Sequence, residues 1–405
     1  MDKKHQKPYI KRSLYFKKTE PYIDTDLIKV FVGQRRVGKS YFLFQLMDVL
    51  RERGIREQDI LYINKEQHAF EDIRTADDLL QYAESKRGDR KLRLFIDEVQ
   101  DIEDFPRALR SLHADGNTEI YCTGSNAYML SSDIANTLGG RYISIELYSL
   151  SYEEFLLFHT LSDCDESMAS YIKYGGLPYL AHLELTDTVA YEYVRAVYDT
   201  ILLKDVVTRF GVRNVSFLGS LVEYLADNTG SLVSAHRIGD FLKSQKMSLS
   251  PSVILNYLSY LSAAFLVFEA PRSEIGGKKI FEINDKWYFG DLGIRHAIVG
   301  YRQTDVNKIL ENLVYLHLRR SGYRVTVGQL KDREIDFVAQ QGEKKIYVQC
   351  AYRITNDAVR DREFGNLLLI EDNYQKFVVS LDEMAGGSYQ GVAHMHLREF
   401  LLKIV

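Results

Sequence analysis

A chain of 405 residues is too long for one ordinary hydrophobic core and implies two to four domains. Its 46% hydrophobic and 27% charged residues fit a soluble globular protein, and a net charge of only −4 excludes a global field of the kind that marks nucleic-acid or acidic-substrate binders. Cys122, Cys164 and Cys350 lie far apart with no CxxC pair, which argues against a disulfide framework or a zinc site and fits a reducing cytoplasm. No signal-peptide core opens the chain, and no apolar run reaches the roughly eighteen residues of a membrane helix.

The first twenty residues, "MDKKHQKPYIKRSLYFKKTE", are basic. They read either as a solvated tail or as an arm that touches phosphate backbones or a partner. Strands and helices then alternate. "LIKVFV" (27–32), "DILYIN" (59–64), "LRLFIDE" (92–98), "TEIYCTGS" (118–125) and "RYISIEL" (141–147) read as strands. "KSYFLFQLMDVLRERG" is a helix stopped at Gly54, and "TADDLLQYAESKRG" is a helix capped by Thr75. This alternation predicts an α/β fold with a doubly wound parallel sheet.

Residues 150–212 turn helical, starting with a capping box from Ser151 to Glu154. They read as a helical lid. Within 213–300, three helices precede two extended runs joined at Gly276-Gly277, the layout of a winged helix-turn-helix. Its third helix, "SVILNYLSYLSAAF", carries no Lys or Arg, so basic contacts would fall to Lys243, Lys246, Arg272, Lys278 and Lys279. DNA binding and a packing role both stay open. Residues 301–405 read as a further α/β unit.

Gly33–Ser40, "GQRRVGKS", matches the phosphate-binding pattern G-x-x-x-x-G-K-[ST], with a strand before it and a helix after. Such a loop turns backbone N–H groups toward phosphate oxygens at a helix N-terminus. Gly33, Gln34, Arg35, Arg36, Val37, Gly38, Lys39, Ser40 and Tyr41 are the candidate ATP-binding residues. Lys39 suits the β- and γ-phosphates, and Ser40 suits Mg²⁺. Asp97 and Glu98 end the third strand, the edge where open α/β sheets bind ligands. Asp97 suits the metal and Glu98 suits a general base toward water. A glutamate beside the aspartate, and the lack of an N/T-K-x-D motif, point to ATP rather than to a GTPase switch. Ser125 and Asn126 either orient the attacking water or cap a helix. Arg141 either stabilises transition-state charge, in its own site or a neighbour's, or is a surface arginine.

"VFVGQRRVGKS", "LFIDEVQ", "YCTGSNAYML" and "LGGRYISIELYSLSYEEF", followed by "YGGLPYL", "LLKDVV", "KWYFGDLG", "LENLVYLHL", "EIDFV" and "REFGNLLLI", resemble a family of bacterial and archaeal AAA-type ATPases. The resemblance implies an ATPase core (1–149), a helical lid (150–212), a winged helix (213–300) and a restriction-endonuclease-like domain (301–405). It implies that Gly176 and Pro178 match a lid motif that approaches adenine; a plain turn between lid helices is the other reading. It also places Glu311 and Asp336 in the first two positions of a Mg²⁺ nuclease site. Gln349 and Ala351 then stand where an acid and a lysine are required, so the domain is expected to be a degenerate nuclease. Partners implied are ATP and either DNA or a protein, with no membrane and with the oligomeric state open.

Overall fold

Apolar runs ending at Gly33, Asp97 and Gly124 form buried parallel strands in a computed structural model that describes residues 9–130, 132–244, 250–275, 280–383 and 385–404. The chain divides into two units, Met1–Tyr148 with Ala263–Phe265, and Ser149–Ser262 with Leu266–Val405.

The first unit opens with helix α1 (Ser13–Thr19) and strand β1 (Ile28–Val32). It continues with α2 (Lys39–Glu52), β2 (Ile60–Asn64), α3 (Ala76–Arg87) and β3 (Leu92–Asp97). Then come α4 (Phe105–Ala114), β4 (Thr118–Gly124), α5 (Ser132–Leu138) and β5 (Tyr142–Glu146). The strands form one parallel sheet in the order β2-β3-β4-β1-β5. β1 and β4 are buried along their whole length, which is why they read as continuous apolar runs rather than alternating ones. Thr75 caps α3 in a reciprocal box with Asp78, as its sequence predicts. Because β4 lies between β1 and β3, polar side chains at the C-terminal end of β4 stand between the phosphate loop and Asp97.

The basic N-terminal segment corrects one expectation. Its first eight residues lie outside the described residues, but residues 9–22 are neither a solvated tail nor a free arm. Tyr15 and Thr19 are fully buried, and Tyr15 and Phe16 meet Phe42 of α2 edge-to-face at 6.1 and 5.1 Å. Arg12 is 3% exposed and donates from Nη1 to the carbonyls of Val37 (2.9 Å) and Tyr148 (3.0 Å). The Tyr148 N–H donates to the Tyr15 hydroxyl at 3.0 Å. Aromatic burial drives this docking, and the guanidinium stays hydrogen-bonded where water is excluded.

The second unit starts with α6 (Tyr152–His159), α7 (Asp165–Tyr174) and α8 (Asp187–Thr200). Ser151 and Glu154 form the expected capping box. The long helix predicted here widens into π-helix over Ile201–Thr208. Next come α9 (Val215–Asp227), β6 (Leu232–Val233), α10 (Ala235–Ser244), α11 (Pro251–Ala263), β7 (Val267–Glu274) and β8 (Ile280–Phe289). The predicted turn at Gly276-Gly277, with Lys278 and Lys279, and also Lys246, lie outside the described residues.

The last part holds α12 (Leu292–Val299), α13 (Val306–Arg320), β9 (Arg324–Leu330), β10 (Arg333–Gln341) and β11 (Lys344–Ala351). It ends with α14 (Asp357–Leu368), β12 (Gln375–Ser380), β13 (Ser388–Tyr389), β14 (Val392–His396) and α15 (Leu397–Lys403). One nine-stranded sheet, β13-β14-β12-β11-β10-β9-β7-β8-β6, runs through all of it. β7 pairs in parallel with β9 through Arg272–Glu274 and so covers what would be an open edge. The hairpin is thus part of the C-terminal sheet, which brings β8 into the same layer as β10. Among the described residues, no helix is long and apolar enough to cross a membrane.

Replacing Arg12 by Ala leaves two carbonyls without their donor. It is expected to destabilise the first unit by about 3 kcal/mol, read as a lower thermal midpoint, with Arg12→Lys recovering only part of the loss because one ammonium lacks the planar fork.

Candidate functional site

The phosphate loop is held open by a close backbone approach. A Cβ on Gly33 would sit 2.1 Å from the Leu147 carbonyl oxygen, and Gly33 has φ +149°, so only glycine fits. Gly38 is left-handed at φ +96° where α2 begins, and Arg36 is left-handed at φ +67°. Lys39 is 4% exposed, and its Nζ donates to the carbonyls of Gly33 (3.0 Å) and Gln34 (3.1 Å). Gln34 is buried, and neither end of its side-chain amide has a hydrogen-bond partner among the described residues. An unsatisfied buried amide beside a folded-back ammonium fits a cradle for a polyanion. The Tyr41 side chain, by contrast, is exposed and packs edge-on against Tyr9 and Phe44.

Asp97 and Glu98 converge on this loop. Asp97 is 2% exposed. It accepts from Thr123 Oγ1 (2.5 Å) and from the Tyr62 hydroxyl (3.0 Å), and the Ser40 hydroxyl lies beside it. Burial raises the Asp97 carboxyl above its ordinary value, against the pull of these donors. A hydroxyl and a carboxylate side by side are the donor set that suits Mg²⁺. Glu98 has φ +58°, and its N–H donates to Thr123 Oγ1 at 2.9 Å. Burial works against its charge. The Lys39 ammonium, 3.9 Å from Glu98 Oε1, then the Gln100 amide and Arg35, outweigh burial and hold the carboxyl below its usual range. Glu98 is therefore ionised at neutral pH, as a proton acceptor must be.

Ser125 and Asn126 are both buried at the end of β4, with the Ser125 hydroxyl beside Glu98. Arg35 is buried, pairs with Glu66 Oε1 at 3.3 Å and acts on Glu98, whereas Arg36 is exposed. Arg141, open between a charge-stabilising role and a surface arginine, lies away from this group. It is exposed, donates to the Leu138 carbonyl at 3.4 Å and precedes β5, with its carbonyl accepting from the Ile28 N–H. It therefore stands at the N-terminal edge of the sheet. The phosphate loop lies at the opposite edge, five residues or roughly 16 Å along β1. That distance exceeds the length of an arginine side chain. Thr123 and Tyr62 escaped sequence reading; the available signal was a threonine inside a fully buried strand.

Gly176 belongs to the second unit. Its N–H donates to Asp291 Oδ2 (2.8 Å), its carbonyl accepts from the Leu150 N–H (2.7 Å), and a Cβ would meet the Leu150 oxygen at 2.6 Å. Pro178 opens the turn that follows.

A second polar centre lies in the nine-stranded sheet. Glu311 on α13 and Asp336 on β10 do come together, but around Lys286 of β8. Lys286 Nζ is 2.9 Å from Glu334, 3.1 Å from Glu311 and 3.4 Å from Asp336. The Tyr288 hydroxyl donates to Glu311 at 3.1 Å, and the Cys350 N–H donates to Asp336 at 2.8 Å. Burial would lower the Lys286 ammonium, but Glu311, Asp336 and Glu334 raise it above its ordinary value. Burial and then Asp336 push Glu311 up to about 8. Gln349 accepts from the Asp336 N–H at 3.4 Å, and Ala351 is buried. Of the basic residues once set against DNA, Lys243 is exposed and pairs with Asp240, and Arg272 donates to Gln329.

The profile of the AAA domain family matches residues 25–156, and a profile of a domain of unknown function matches residues 165–305. An uncharacterized protein of Haemophilus influenzae is 35% identical over 98% of this chain and all of its own length. An uncharacterized protein of Methanocaldococcus jannaschii is 30% identical over 83% of this chain and 77% of its own. Among solved structures, the Walker-type ATPase of Pyrococcus abyssi overlaps 73% of this chain and 97% of its own, at 15% identity and a TM-score of 0.50, a likeness of fold.

Replacing Thr123 by Val removes a donor from Asp97 and the acceptor of the Glu98 N–H. It is expected to cost about 3 kcal/mol, read as a lower melting temperature of the nucleotide-free protein, while Thr123→Ser stays near wild type.

Proposed function

Because the chain belongs to the same family as the Haemophilus influenzae and Methanocaldococcus jannaschii proteins and carries an AAA-type P-loop ATPase domain, we propose that it is an ATP-hydrolysing molecular switch. The observation that carries this reading is the meeting of Lys39 and Glu98 at a loop that only glycine can form, with Asp97 pinned beside them.

In this reading Lys39 exchanges two neutral carbonyls for ionised phosphate oxygens, which are stronger acceptors. The Gln34 amide gains a partner that it lacks among the described residues. Ser40 and Asp97 would hold Mg²⁺, which when bound neutralises phosphate charge. Glu98 takes a proton from the attacking water as the bond from the γ-phosphorus to the bridging oxygen breaks, leaving ADP and phosphate. Ser125 and Asn126 orient that water. Arg35 rather than Arg141 meets the charge that develops, since it already stands near Glu98.

We read residues 1–149 as the ATPase core, 150–212 as a helical lid, 213–300 as a winged helix and 301–405 as a degenerate nuclease-like domain. The order α9, β6, α10, α11, β7, β8 supports the winged helix. An α11 without Lys or Arg, and an Arg272 already bonded within its sheet, favour a packing role over DNA binding.

Lys39→Ala is expected to abolish binding of a fluorescent ATP analogue. Glu98→Gln should keep binding while phosphate release falls at least about a hundredfold. Arg35→Ala should lower kcat by a similar factor, about a hundredfold, with Arg141→Ala within about threefold of wild type. Wild-type turnover by Glu98→Gln would remove Glu98 from the base role. Supercoiled plasmid incubated with Mg²⁺ or Mn²⁺ should stay uncut.

A further inference from the structure

With Lys286 among them, the acids around Glu311 and Asp336 do not fit a divalent metal ion. Such an ion needs several oxygen ligands free to turn toward it. Here the acid and amine positions on β11 hold Gln349 and Ala351, and among the described residues no group of three or more His, Cys, Asp or Glu is arranged to hold a metal. Yet the acids are not unpaired. An ammonium has three N–H donors, and Lys286 faces three carboxylates at 2.9, 3.1 and 3.4 Å.

We propose that the Lys286 ammonium is the resident cation of this centre, occupying the place of a divalent ion among Glu311, Glu334 and Asp336 and excluding one. Lys286 is 4% exposed, so its charge is out of water and needs these partners as much as they need it. The remaining carboxylate lone pairs are served from within: Tyr288 donates to Glu311, and the Cys350 N–H donates to Asp336. The amine absent from β11 has in effect been supplied from β8, 50 residues before Asp336. A centre whose carboxylates already share a resident cation has no use for metal-dependent cleavage. It also fastens the hairpin to α13 and β10, so it links the helical part of the second unit to its sheet.

The test uses the full-length, nucleotide-free protein and Mn²⁺ as the probe, counted by electron paramagnetic resonance. Wild type is expected to bind no Mn²⁺ that Asp336→Asn removes. Lys286→Met should melt about 10 °C lower in EDTA. It should take up one Mn²⁺, recover at least half of that loss, and lose the ion again when Asp336→Asn is added. Should Lys286→Met fail to fold in EDTA, Lys286→Met/Glu311→Gln, which removes one charge of each sign, is expected to fold and melt nearer wild type. Asp336-dependent Mn²⁺ binding by wild type overturns the proposal. So does a folded Lys286→Met protein that takes up no Mn²⁺.

Discussion

The Thr123 hydroxyl donates to Asp97 and takes a hydrogen bond from the Glu98 N–H, so one side chain on β4 fixes both acids at the end of β3. Everything at the nucleotide end of the first unit is arranged around that tie. β4 is flanked by β1 and β3, which puts Thr123 between the strand that leads into the loop and the strand that presents the acids. Asp97 and Glu98 are almost fully buried, and each would be costly to ionise there without donors. The threonine supplies one of them, Tyr62 another, and Lys39 the compensating charge. The outer wall is built the same way. Arg12 holds the Val37 and Tyr148 carbonyls, and Leu147 leaves no room for a side chain at position 33.

The two polar centres meet one constraint in different ways. At the loop, Lys39 donates to two neutral carbonyls and sits 3.9 Å from Glu98, a set of partners weaker than ionised phosphate oxygens. In the nine-stranded sheet, Lys286 faces three carboxylates at hydrogen-bonding range and has nothing left to offer. A buried ammonium thus prepares one centre for a ligand and closes the other to it.

Much of this was legible beforehand. β1 and β4 stand out because strands covered on both faces must be apolar throughout. The capping boxes at Thr75 and Ser151 stand out because a helix start needs its free N–H groups satisfied locally. The phosphate loop and its two acids follow from residue type and spacing. Arg141 stayed open between a charge-stabilising role and a surface position, because residue type does not say at which end of a parallel strand a side chain stands. The N-terminal helix was obscured by its lysines, since net charge says nothing of which rings face inward. Lys286 was invisible for a stronger reason: it lies 25 residues before Glu311 and 50 before Asp336, and no local pattern joins them.

Sequence by itself therefore determined most of the elements, the phosphate loop and the paired acids. These depend on local periodicity, backbone freedom at glycine and the chemistry of neighbouring residues. Only the tertiary structure decided that Thr123 ties the acids together, that Arg35 rather than Arg141 stands near them, and that Lys286 fills the second centre. Those facts depend on which strands lie side by side and which edge of a sheet a residue occupies. Both are settled by packing between segments far apart in the chain.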